Sequence, residues 1–156
     1  MIADMFLKLA GVTGEALDAA HKGEIQVMAW SWGLQAPTAA VGGQATGRTA
    51  LSELAIVKQV DQATPTLMLF LRNHKVIPTA KLTVRKAGQE PLEYFRIELE
   101  QVRITALTTD TQETDLVERL KLGFQKVTVT YIPQQGGTGA KGGGDVVFSA
   151  DAQAGN

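Results

Sequence analysis

A chain of 156 residues with 44% hydrophobic and 20% charged side chains can bury roughly two-thirds of its unfolded surface, and its composition excludes both disorder and a membrane class. Fifteen basic residues stand against sixteen acidic ones, a net charge of -1, which offers no broad attraction to a phosphate backbone and argues against a nucleic-acid partner. The absence of cysteine removes disulfides and thiolate metal ligands, so packing alone must hold the fold.

The opening stretch MIADMFLKLAG places Asp4 and Lys8 inside what would have to be an apolar run, so export through a cleaved signal is not expected. No later run reaches membrane-spanning length, and no membrane insertion is expected. Met5 to Leu9 then reads as a first short strand, with Met5, Leu7 and Leu9 on one face and Phe6 and Lys8 on the other. A loop of small and polar residues follows. From Glu24 to Leu34 the apolar set begins on odd positions, Ile25 and Val27, and moves to even ones, Met28, Trp30, Trp32 and Leu34. Such a change of face requires a bulge or a coil in the strand.

Gln35 to Thr49 is a long small-residue segment without periodicity, a length that in a compact domain marks a functional or mobile loop. Its one charge is Arg48. Leu51 to Val57 supplies another strand, with Leu54 and Ile56 inward. The single expected helix spans about Pro65 to Asn73: Thr64 caps it, Pro65 takes the first turn, and Leu67, Met68, Leu71 and Phe70 form an apolar stripe that plugs an open end of a barrel. Ala80 to Arg85 is the next strand, and Lys86 to Pro91 the turn after it.

Two further strands change face as the earlier one does. Phe95 to Ile104 runs Phe95, Ile97, Leu99 and then Val102, Ile104, while Leu120 to Tyr131 runs Leu120, Leu122, Phe124 and then Val127, Val129, Tyr131. Gly136 to Gly144 is a flexible Gly-rich segment before a short last strand, Asp145 to Ser149. The expected fold is therefore mainly β, a single domain over residues 1–156. A bent antiparallel barrel is favoured over a flat sandwich, because three strands change face midway.

Residues capable of chemistry are few. His21 and His74 each lack a neighbouring ligand pattern and read as surface loop residues, so no metal is expected. Glu98 and Glu100 share one strand face, a formal acid/base pair that reads instead as a solvated charge ladder with Arg96 and Lys81 or Arg85 opposite. No serine sits in a nucleophile elbow, and the Gly-rich stretch lacks the spacing of a phosphate loop. Neither an enzyme nor a cofactor is expected. Trp30 and Trp32 lie on one strand face as core anchors, with Ser31 turned the other way.

The segments EIQVMAWSWGLQ, ATPTLMLFLRNHKVIPTAKLTVRKAGQEPLEYFRIEL and VTVTYIPQ followed by a Gly-Lys-Gly tail together resemble the Hcp family, the haemolysin-coregulated tube proteins of type VI secretion. The resemblance spans nearly the whole chain. It implies a β-barrel-like fold with one helix, six copies of which form a ring with a central channel. It further implies rings stacked within a contractile sheath beneath a VgrG-type spike, assembled in the cytoplasm, then expelled and able to carry small effector proteins. Phage tail tube proteins share that mechanical role. On this resemblance Val41, Gly42, Gly43, Gln44 and Arg48 belong to an extended loop that meets an adjacent subunit or ring, and Ser31 falls on a strand lining the channel. After VVFS the chain reads ADAQAGN, where relatives often carry an aromatic.

A different reading of the same pattern is a monomeric small-barrel carrier holding an apolar ligand inside itself. It requires a hollow interior, whereas the Trp, Leu, Val and Phe sets are sufficient to fill one.

Overall fold

The computed structural model describes residues 2–36, 49–86, 92–133 and 144–152. Alternation of apolar and polar residues gives, in chain order, β1 (Ile2–Leu9), β2 (Ile25–Gln26), β3 (Ala29–Ser31), β4 (Leu34–Gln35), β5 (Ala50–Leu51) and β6 (Leu54–Gln59). The helix α1 (Thr64–Arg72) follows, then β7 (Ile77–Lys86), β8 (Leu92–Gln112), β9 (Asp115–Gly123), β10 (Lys126–Tyr131) and β11 (Val146–Asp151).

Apart from β4 and β5, which pair with each other, the strands form two antiparallel layers that share β8. In the first layer the order is β2-β1-β7-β8-β10-β11, and in the second β8-β9-β6-β3. The expectation of a barrel is corrected here: the sheet does not close as a barrel and the layers face each other as a sandwich. Each change of face read from the sequence turns out to be a corner between the layers. At Val27 and Met28 the chain passes from one to the other, the Val27 N–H donating to the Met5 carbonyl at 2.9 Å and the Met28 N–H to the Val57 carbonyl at 2.8 Å. Within β8 the corner falls at Gln101, whose φ of 54° shifts the buried set from Ile97 and Leu99 to Val102 and Ile104.

The third face change is a break. Leu120 to Tyr131 is not one strand but two, β9 and β10, separated by Phe124 and Gln125. Both follow β8, Arg103 opposite Gly123 and Glu100 opposite Lys126, so the break lies beside the Gln101 corner and the hairpin bends there on both sides. Glu24 to Leu34 likewise divides into β2, β3 and β4, leaving Met28 and Leu34 exposed, and Leu51 to Val57 divides at Ser52 and Glu53.

The core lies between the layers. Leu7, Leu9, Leu82, Ile97 and Leu99 from the first meet Leu54, Ile56, Ile104, Leu120 and Leu122 from the second. The helix packs its Leu67 into the same cluster, with Phe70 and Leu71 partly buried beside it. Met68 and Leu69 stay largely exposed, so the apolar stripe is narrower than the sequence suggested. Thr64 is the first helical residue rather than the cap; its hydroxyl turns back to accept the Asp61 N–H at 3.2 Å. The turn at 87–91 and most of the Gly-rich segment lie outside the described residues.

Candidate assembly surface

The second layer positions the residues of interest. Its cross-strand rungs alternate, as strand geometry requires. One rung, Trp30, Ile56, Leu120 and Leu107, faces the core. The next, Ser31, Ala55, Lys121 and Ala106, and its neighbour, Ala29, Val57, Arg119 and Thr108, face outward. Ser31 is thus exposed on a face it shares with Ala55, Ala106, Lys121 and Arg119, and Arg119 there lies 3.7 Å from Asp110. Trp30 stacks on Phe95 with ring centroids 5.6 Å apart and 14° between planes, while Trp32 packs beside the core with a buried, unpaired Nε1.

This layer ends in two unpartnered edges. Among the described residues β3 pairs only with β6, and the second half of β8, Arg103–Gln112, pairs only with β9. An edge is ordinarily blunted by lysine, proline or a covering element. The short Ala29–Ser31 edge has neither residue type, and the β8 edge carries Arg103 and Asp110 as its only charges, with one irregularity between Ile104 and Ala106.

The remaining candidate residues are scattered. Val41, Gly42, Gly43, Gln44 and Arg48 lie outside the described residues. Glu98 and Glu100 are exposed on the first layer, with Lys81 opposite Glu98 and Lys126 3.9 Å from Glu100; Arg85 is engaged elsewhere, by Asp4 and Asp18. His74 is exposed just beyond α1, but His21 is buried between Glu24 and Glu93, not the surface residue expected. The signal for it was Glu24, three residues away. Sequence reading also missed the buried Lys58 and Glu118, cross-strand partners 3.2 Å apart. Among the described residues no group of three or more His, Cys, Asp or Glu is placed to hold a metal, and no helix is long and apolar enough to cross a membrane.

Residues 6–131 match the family model described as "Type VI secretion system effector, Hcp". The chain belongs to the Hcp family. Protein hcp1 of Pseudomonas aeruginosa is 40% identical over 153 residues, covering 95% of this chain and 94% of that protein. Among solved structures, a type VI secretion system effector from Yersinia pestis is 32% identical with a TM-score of 0.78, covering 95% of this chain and 99% of its own. Hcp1 from Salmonella typhimurium is 28% identical with a TM-score of 0.79, covering 100% and 99%. Hcp membership ties the chain to type VI secretion, and these structures share its β-rich sandwich.

Proposed function

We propose that this Hcp chain is one ring-forming tube subunit, six copies of which join head to tail through the open edges of the second layer. The edges of β3 and the second half of β8, which pair with no further strand among the described residues, support this reading above all. Laid against each other between successive copies, they extend one hydrogen-bonded ladder around a closed ring, a heterologous contact that terminates once the rotation closes. The outward rungs then line the channel, with Ser31 on its wall, and the helix stays away from it. Each junction of a stable ring should bury more than about 1,000 Å².

Stacking of rings engages the Val41, Gly42, Gly43, Gln44 and Arg48 loop. A contractile sheath, a VgrG-type spike and small effector proteins in the lumen are the partners this role implies, with assembly in the cytoplasm followed by expulsion. The role is mechanical and calls for no catalysis or cofactor. A carrier with a hollow interior is disfavoured by the side chains that fill the space between the layers.

Size exclusion with light scattering tests the reading. The expected species has about six times the 16.7 kDa mass of one copy. Ala29→Pro in the β3 edge should reduce it to single copies while circular dichroism keeps its β signature, because proline removes a backbone donor. A wild-type protein that stays single at every concentration would end the proposal, as would a folded proline variant that keeps the ring mass.

A further inference from the structure

The loop between β1 and β2 lies over the outer face of the first layer, held by contacts the tube reading does not use. His21, 5% exposed, has Nδ1 3.0 Å from Glu24 Oε2 and Nε2 2.8 Å from Glu93 Oε2. Its ring stacks on Phe6 at 4.4 Å between centroids and 10° between planes. The Arg85 guanidinium carbon lies 4.9 Å from the centre of that same Phe6 ring, and its Nη2 donates to Asp4 at 2.7 Å and to Asp18 at 2.9 Å. Side chains of β1, β7 and β8 therefore converge on the loop's Asp18, His21 and Glu24.

Counting donors identifies the state this geometry needs. Ionised carboxylates only accept hydrogen bonds, and a neutral imidazole offers one donor and one acceptor. Both contacts are hydrogen bonds at once only when both ring nitrogens carry hydrogen. A neutral ring turns a lone pair toward a carboxylate oxygen in a site with little water, where that repulsion is weakly screened.

We infer that His21 is a proton-operated clasp between the loop at residues 11–24 and the start of β8, closed when its ring is charged and released when the ring loses a proton. The groups facing it are Glu24 from the same loop and Glu93 from β8, with Arg85 of β7 across Phe6 and Asp18 and Asp4 around Arg85. Its contribution is present while the ring is protonated and both glutamates are ionised. The Arg85–Asp18 pair keeps its charges through the neutral range and forms the fixed half of the joint; its acidic limit is set by Asp18, held below its ordinary value by the Arg85 hydrogen bond. Release loosens the cover over Phe6 and frees the segment carrying Leu17, which is 90% exposed. This device goes beyond the tube reading and operates in a single copy.

Hydrogen exchange on the full chain tests it. The Gly14, Ala16 and Gly23 amides donate to the Gly23, Glu24 and Ala16 carbonyls and report the loop. Their protection factors, corrected for intrinsic exchange, should fall about tenfold between about pH 5 and 8, the change that accompanies loss of one charge-assisted hydrogen bond. The fall should track the His21 ring resonances. His21→Gln and Glu93→Gln should each flatten it, whereas His74→Gln, at the chain's other histidine, should leave it in place. Flat loop protection in the wild type overturns the inference, and so does an unchanged pH dependence in His21→Gln. If His21→Gln does not fold, an unchanged dependence in Glu93→Gln overturns it equally.

Discussion

Removing one member of the Lys58–Glu118 pair should destabilise the protein unequally according to which member goes. The two side chains face each other across the β6–β9 ladder, both at 0% exposure, with Lys58 Nζ 3.2 Å from Glu118 Oε1 and 2.9 Å from Asp61 Oδ1. At an effective dielectric of about 20, a contact of that length carries about 5 kcal/mol of gross attraction, which desolvation of several kcal/mol per ion offsets. The net effect depends on what is left behind. Lys58→Met strands Glu118, whose Oε2 already lacks a partner, and should cost about 3–5 kcal/mol. Glu118→Leu leaves Lys58 paired with Asp61, which retains access to solvent, and should cost about 1–3 kcal/mol. The double variant should be more stable than Lys58→Met alone, because no buried carboxylate is left without a cation on β9. Urea unfolding followed by Trp30 and Trp32 fluorescence, at one fixed protein concentration because association adds apparent stability, measures all three. Should Glu118→Leu prove the costlier single change, or the double variant cost the sum of the singles, the reasoning from stranded charge fails.

Two further outcomes follow from the loop over the first layer. A Cβ at Gly14 would sit 2.5 Å from the Glu24 carbonyl oxygen and 2.9 Å from the Ile25 Cα; these backbone atoms cannot rotate aside, so Gly14→Ala should cost about 1–3 kcal/mol and lower the protection of the loop amides. The Asp18 carboxyl is held below its ordinary value by the Arg85 hydrogen bond, so its contribution is present above the usual carboxylate range and disappears as pH falls through the folded-state value. Asp18→Asn should therefore be less stable than wild type at neutral pH and converge with it in strong acid, as compared by urea midpoints; a gap that persists in strong acid would contradict the linkage.

Much of the architecture was legible because strand alternation is a local signal. β1, β6, β7 and the first half of β8 were placed by their apolar parity alone, and α1 by Pro65 and Leu67, whereas β8 was read as ending at Ile104 and runs on to Gln112. The face changes were legible too, but their meaning was not, since alternation reports which side a residue faces and not which strand lies beyond it. A bend in one closed sheet and a corner between two layers produce the same parity shift. The pairing of Arg103 with Gly123 and Glu100 with Lys126 distinguishes them. The buried Lys58 and Glu118 escaped notice because the strands were read as ending at Val57 and beginning at Leu120. Extending the inward sets Leu54, Ile56 and Leu120, Leu122 by one step each reaches Lys58 and Glu118, two opposite charges at core-facing positions. His21 escaped because Glu93 is 72 residues away, a separation no local pattern reports.

The corner at Gln101 also explains how one strand can serve both the core and an open sheet edge. A non-glycine residue in the left-handed region costs about 1–2 kcal/mol, so this conformation persists only where its surroundings enforce it. Opposite it, the Gln125 N–H donates to the Glu100 carbonyl at 3.0 Å, and Val102 is fully buried against Ile77 on β7. The first half of β8 is thereby fixed between β7 and β10, and its second half leaves that layer with β9 as its one strand partner among the described residues. If the open edge takes up a neighbouring copy, force along the ring reaches the core through these few residues. A glycine at position 101 would remove the conformational cost but also the constraint, so Gln101→Gly should leave the fold intact and make the β8 edge less sharply oriented.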